Sequence, residues 1–407
     1  MYKKILSIIL IVMSVFALVS CTNQQSNNDT TETETVTTPS AQVVETTTES
    51  PSDVLEWADC TGYMLEENVP VKNIILMIGD GMGENIIKNS DIVKGSPFAT
   101  AYMPYSCYVG TDSLSGVTDS AASSTAISCG VKTKNKYIGM DENGNPVETI
   151  VEFAKARGLK TGLVATQIIP HATPAGMVAH NTYRDMFNDI LKQMVNAKVD
   201  VMFGGGAEYA DTSKMQKRIE AAGYNYIKTS EELETLTVGT KALGAFSYNA
   251  LNAGMNPSLT TMTSKALELL DNDNGFFLMV EASHIDIYEA QLDMDGTIAE
   301  MKAFDKAIDY TLRWAESHPG TLVLVTADHE TGGVIVPESG LPEDVNNDCF
   351  TSGGEHTGAD VKLFAAGAQA DKILTEERIE NTEIAFIMRK VLNDTYGEKP
   401  VTLLNQD

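Results

Sequence analysis

Four stretches of this chain carry side chains that could act together on one substrate. Gly116-Val117-Thr118-Asp119-Ser120-Ala121-Ala122-Ser123 places a hydroxyl directly before an Ala-rich segment that reads as a helix. Ser120 is therefore expected at a helix N-terminus, where unpaired amides and the positive end of the dipole favour an alkoxide or a phosphate. A serine in that position most often only caps the helix. Three acid-bearing stretches argue for more. Asn73 to Gly83 is an apolar run closing on Asp80 between glycines, Phe276 to Asp286 runs into Glu281 and Asp286, and Thr321 to Gly333 ends in the Asp328-His329 pair.

Each of those acids follows, or lies in, a run with the length and composition of a buried strand. Thr161 to Thr166, Val361 to Gly367 and a run ending at Gly204-Gly205-Gly206 read as further strands, and Ile298 to Ser317 reads as a helix with Met301, Phe304, Ile308 and Leu312 on one face. Strands alternating with helices predict an α/β fold with a large, mostly parallel central sheet and helices on both faces. In such a sheet, ligands collect beyond the carboxyl ends of the strands, so the acids can converge on one crevice. Gathered carboxylates and imidazoles left unpaired would each cost several kcal/mol, which calls for multivalent cations. Mixed oxygen and imidazole donors suit zinc; all-oxygen sets suit magnesium. Gly353-Gly354-Glu355-His356-Thr357-Gly358 adds a second imidazole, and His171-Ala172-Thr173-Pro174 is followed ten residues after the proline by Arg184, whose planar fork matches two phosphate oxygens.

On these residues the chain resembles the alkaline phosphatase family from about Asn68 to Asn393, with at least five separated motifs in the family's order. The resemblance implies an alkaline-phosphatase-like sandwich and a phosphomonoester hydrolase. By it, Ser120 is the phosphorylated nucleophile and Arg184 clamps the phosphoryl oxygens. Asp80, Asp328 and His329 would hold the zinc that lowers the pKa of Ser120. Asp286 and His356 would hold a second zinc that stabilises the leaving oxygen and activates water. Asp80, Thr173 and Glu281 would hold magnesium or a third metal. In-line attack by serine, a covalent phosphoserine and its hydrolysis follow. The four acids with an ionised serine carry about −5 against about +6 for two zincs and one magnesium, so the site can attract a phosphate dianion.

The chain also departs from the family. Where a histidine usually stands nine residues after the glutamate, it has Ala290. Asp286 and His356 could be joined by Glu289, by His284 or by water, and these alternatives stay open. His171 stands where some members have an aspartate near the third metal, so that site could take zinc or hold magnesium less tightly. Ile287 is read as core packing. Ala290 also motivates a competing function: a surface lipoprotein that keeps the fold, binds phosphate or divalent metal and turns over weakly. A sulfatase or phosphodiesterase is disfavoured, because Arg184 suits a monoester with several free oxygens.

At the amino end, Lys3 and Lys4 precede the apolar run Ile5 to Val19, and Leu18-Val19-Ser20-Cys21 has the form of a bacterial lipoprotein cleavage site. Residues 1–20 read as a signal peptide, with Cys21 lipidated and the protein anchored to the outer side of a bacterial membrane. Residues 21–52, rich in Thr and Glu, cannot bury enough surface to fold and read as a tether, with the catalytic domain over 53–407. A weakly periodic stretch, about 211–262, could be an insertion shaping access to the site. The net charge of −27 argues against nucleic acid or an anionic membrane surface as partner. Cys60, Cys107, Cys129 and Cys349 permit two disulfides without indicating a pairing, and their spacing is not that of a zinc ribbon. A homodimer, common in the family, remains open.

Overall fold

A computed structural model describes residues 56–403; the signal-like segment, Cys21 and the tether lie outside the described residues. In chain order the strands are β1 (Asn73–Gly79), β2 (Tyr105–Gly110), β3 (Lys160–Ile168), β4 (Val201–Gly205), β5 (Asn225–Ile227), β6 (Ala242–Ala245), β7 (Phe276–Ala282), β8 (Thr321–Thr326), β9 (Glu330–Thr331), β10 (His356–Thr357), β11 (Val361–Gly367) and β12 (Arg378–Glu380). Ten of them form one sheet in the order β12-β2-β11-β8-β1-β7-β3-β4-β6-β5, while β9 and β10 pair as a small antiparallel ribbon. Every neighbouring pair in the large sheet is parallel except those made by β11, which runs against both β8 and β2.

The continuous apolar runs are explained by burial. Every residue of β1, β7 and β8 is buried, which a sheet achieves only when helices cover both faces. Helices Leu259–Leu270 and Met294–Glu316 pack on each other and on β7, and helices Ser120–Cys129, Ile150–Ala156 and Asn381–Tyr396 form a second packed group. On the long Met294–Glu316 helix, Met301, Phe304, Ile308 and Leu312 are fully buried, as their spacing requires. Asp305 is buried among them and serves as a clasp. Its carboxylate accepts from Lys94 Nζ at 2.8 Å, from the Ala99 amide at 2.7 Å and from the Ala58 amide at 3.1 Å, tying the start of the described chain to the helix.

Residues 211–262 supply β5 and β6, which extend the large sheet beyond β4 to its edge. Their periodicity is weak because these strands are short. Cys60, Cys107, Cys129 and Cys349 are free thiols, and Cys129 lies in the core as a small packed residue. Among the described residues, no helix is long and apolar enough to cross a membrane.

The sheet also explains how the chemical residues meet. Asp80 follows the carboxyl end of β1, Glu281 is the penultimate residue of β7, and Asp328 follows β8. Because β11 is antiparallel, its amino end, preceded by His356, arrives at the same edge. Thr326 at the end of β8 donates to the Lys362 carbonyl near the start of β11 at 2.9 Å.

Candidate active site

Ser120 is the first residue of its helix, and the residue that caps the helix is Asp119. Asp119 Oδ1 accepts from the Ala122 amide at 2.9 Å, the role for which a short carboxylate is favoured at that position. The Ser120 hydroxyl is thereby left free of capping, and its Oγ lies 3.4 Å from His329 Nε2. The second Asp119 oxygen accepts from Arg184 Nη1 at 3.1 Å, so one side chain both starts the Ser120 helix and holds the guanidinium beside it. Arg184 Nη2 stands 3.4 Å from His171 Nε2. Ser123, one turn along the same helix, donates to the Asp328 carbonyl at 2.6 Å, and Ser124 donates to the Ala172 carbonyl at 3.1 Å. The small residues of the Ala-rich segment thus let the helix pack against both the β8 end and the short helix Ala172–Gly176.

His329 Nε2 also faces Asp328 Oδ2 at 3.3 Å and Asp80 Oδ1 at 3.4 Å. His356 Nε2 faces Asp286 Oδ1 at 3.4 Å, and the two imidazoles stack with centroids 3.6 Å apart. Asp80, Asp328 and His329 offer ligand atoms all within 4.8 Å of one another, as do Asp286, His329 and His356. Both sets cannot own His329. The Thr331 hydroxyl donates to Asp286 Oδ1 at 2.7 Å and lies 3.2 Å from His329 Nδ1, so its single hydrogen is committed and Nδ1 must be the donor to Oγ1. That tautomer, assigned from the hydrogen-bond network, leaves the Nε2 lone pair to the Asp80/Asp328 set. His356 Nδ1 likewise donates to the Thr118 carbonyl at 2.9 Å, leaving its Nε2 toward Asp286.

Burial and mutual repulsion dominate the electrostatics of these side chains. Burial, then the charges of Asp328, Asp286 and Glu281, push the Asp80 carboxyl well above the usual range. Burial raises Glu281 to about 7. Burial also pushes Asp286 up, but its hydrogen bond to His356 and the nearby His329, His356 and Thr331 more than offset this and hold it low. His356 is pulled down by burial and raised overall to about 9 by Asp286. Burial holds His329 below its ordinary value, and burial with Arg184 lowers His171 to about 3.

Among the buried polar atoms without hydrogen-bond partners are Asp80 Oδ1, Asp328 Oδ2, Thr173 Oγ1 and both oxygens of Glu281 and of Glu289. Apart from Glu289, they belong to the groups that the sequence assigns to metals. Glu281 lies beside Thr173 and Asp80, because the β1–β7 register sets Ile78 opposite it. This donor set fits divalent cations: carboxylates and imidazole in one set, oxygens in the Asp80/Thr173/Glu281 group.

The structure therefore gathers Ser120, Arg184, Asp80, Thr173, Glu281, Asp286, Asp328, His329 and His356 at one edge of the sheet, with His171 against Arg184. His284 opens the helix His284–Ala290, 6.5 Å ring to ring from Tyr288. Glu289 is fully buried, whereas Ala290 is exposed. Sequence reading gave no role to Asp119 or Thr331, although both lie in the quoted motifs. An acid immediately before a helix-starting serine was the available signal for the first; nothing short of distances reveals the second.

The chain is similar to known proteins. The alkaline phosphatase family model matches residues 71–345. Alkaline phosphatase 4 of Bacillus subtilis (strain 168) is 36% identical over 303 residues, 68% of this chain and 65% of that protein, so the match spans just under two thirds of this relative's length. Alkaline phosphatase of Escherichia coli (strain K12) is 31% identical over 410 residues, 79% of this chain and 86% of that protein. The structure of alkaline phosphatase from the Antarctic bacterium TAB5 is similar, with 30% identity and a TM-score of 0.71 over 81% of this chain and 99% of that one; a variant of it has magnesium bound in its M3 site. This chain belongs to the alkaline phosphatase family.

Proposed function

We propose that the protein is a metal-dependent phosphomonoester hydrolase that works through a phosphoserine on Ser120 and releases inorganic phosphate outside the cell. The observation that carries this reading is the Ser120 hydroxyl, released from capping by Asp119 and set 3.4 Å from His329 Nε2 among buried, unpartnered carboxylates.

Asp80, Asp328 and His329 would hold one zinc, Asp286 and His356 a second, and Asp80, Thr173 and Glu281 magnesium; bound there, the metals would supply Lewis acidity toward the entering and leaving oxygens. Ser120 Oγ, as the alkoxide at the positive end of its helix, attacks phosphorus in line while the bond to the ester oxygen breaks. The departing alkoxide takes a proton from solvent and leaves as the alcohol. Arg184, braced by Asp119, presents its guanidinium to two of the phosphoryl oxygens. Water then opens the serine ester, returning the proton to Ser120 and freeing phosphate.

The anchor belongs to the same proposal. A lipid on Cys21 and the Thr/Glu-rich segment after it would hold the domain off the outer face of the membrane, within reach of diffusing phosphate monoesters. Ala290 favours a second reading, a surface protein that binds phosphate or metal with little turnover. Phosphate release from a simple aryl phosphate at alkaline pH, by protein purified with zinc and magnesium, separates the two. The hydrolase reading expects release that Ser120→Ala abolishes; phosphate and metal binding without release would favour the alternative.

A further inference from the structure

We propose that Glu289 supplies the third protein ligand of the Asp286/His356 metal set, replacing the histidine that position 290 lacks. This rests on the reading above that the set holds a metal.

The set is one ligand short for a structural reason. His329 is spent: its Nδ1–H is committed to Thr331, and its Nε2 faces Asp80 and Asp328. Asp286 and His356 alone give two protein donors, where zinc sites with an open position keep three. Position 290 cannot help, since alanine has no donor and the residue is exposed. The helix His284–Ala290 instead turns position 289 inward, three residues after Asp286 and so on the same helical face.

Glu289 is 0% exposed, and neither of its oxygens has a hydrogen-bond partner. The charges that act on it most are those of Asp286, Glu330 and Asp328, all acidic. A buried carboxylate facing three acids with no cation is costly unless a metal sits among them. Its position is specified from the other side by Gly81, which has φ +80°: a Cβ there would fall 2.7 Å from Glu289 Oε2 and 2.9 Å from Asp286 Cα. The carboxylate thus rests on the backbone that joins Asp80 to the next helix, beside Asp286. Its oxygens stand outside the two sets drawn within 4.8 Å, so the proposal includes a turn of the Glu289 side chain toward Asp286. His284 is the weaker candidate. Its Nδ1 is also unpartnered and Asp286 is the charge that acts on it, but burial keeps this imidazole neutral, and a neutral imidazole does not demand a cation.

The test is a zinc titration of metal-free full-length protein, followed calorimetrically and by bound-metal analysis, for the parent, Glu289→Gln and Asp328→Asn. Asp328→Asn identifies the zinc equivalent owned by the Asp80 set. For Glu289→Gln we expect the other equivalent to weaken by about a hundredfold or more, while the Asp80 equivalent is unchanged. Glu289→Gln keeps the shape of the side chain, so the metal-free variant is expected to melt with the parent, and a loss confined to one zinc equivalent separates a ligand from a merely structural glutamate. Should Glu289→Gln not fold, Glu289→Asp, which keeps the charge but shortens the reach, is expected to weaken the same equivalent. Parent and variant binding that equivalent equally tightly would overturn the role of Glu289 alone. A parent that binds no zinc at the Asp286/His356 set would overturn both this inference and the metal assignment beneath it.

Discussion

The Thr331 hydroxyl donates to Asp286 Oδ1 at 2.7 Å and lies 3.2 Å from His329 Nδ1, so a single side chain joins the two donor sets. It fixes the tautomer of one imidazole and the orientation of one carboxylate together. Thr331→Val keeps the shape and removes both contacts. It is expected to weaken zinc binding by about 10–100-fold, read by competition with a chelating dye, whereas Thr331→Ser should retain most of the affinity.

Arg184 is held at 3.1 Å by an oxygen of Asp119 while the other Asp119 oxygen caps the Ser120 helix. A lysine cannot reproduce the planar fork or the two-point grip on phosphate proposed for Arg184. Arg184→Lys should therefore lower kcat/KM for an aryl phosphate by roughly 10–100-fold without a change in thermal stability. Asp119→Ala should lower kcat/KM too and, through loss of the cap, reduce stability by about 1 kcal/mol in urea denaturation.

Much of this arrangement could be read from the sequence, and the limits of that reading have physical causes. Strands β1, β7 and β8 were legible because complete burial makes them long apolar runs, and β3 and β11 because most of their residues are buried. β2 alternates exposed and buried residues over part of its length, and β5 and β12 are only three residues long, so neither period nor length gave them away. That β11 runs antiparallel is a property of the connection before it, yet this is what brings His356 to the site. Ser120, Arg184 and the acids that cluster beside them were legible as motifs; the contacts of Thr331 depend on distances among residues that share no periodicity.

The Lys94–Asp305 ion pair is almost entirely buried, with side-chain exposures of 2% and 0%. Removing Asp305 would leave a buried ammonium unpaired and two amides, those of Ala99 and Ala58, without acceptors. Asp305→Ala should lower unfolding stability by about 3–5 kcal/mol in denaturant titration.

Glu300 gives a pH dependence separate from the metal donors. Burial raises its carboxyl from the ordinary 4.5 to about 7, with the Ala253 amide donating to Oε1 at 2.6 Å and Oε2 unpartnered. Between about pH 4.5 and 7 the folded protein holds a proton there that the unfolded chain does not. Its contribution is fully present below pH 4.5 and is lost as pH rises through 7, a change of a few kcal/mol. Glu300→Gln should flatten this part of the stability profile when metal-free protein is unfolded in urea across that range.

The role of Ser120 is tested most directly by catching the covalent intermediate. Metal-loaded protein would be mixed with a phosphate-labelled monoester, quenched in acid and mapped by peptide mass spectrometry. Label on the peptide containing Ser120, absent from Ser120→Ala, is the predicted result. Phosphate release with no label at Ser120, or release that persists in Ser120→Ala, would contradict the account.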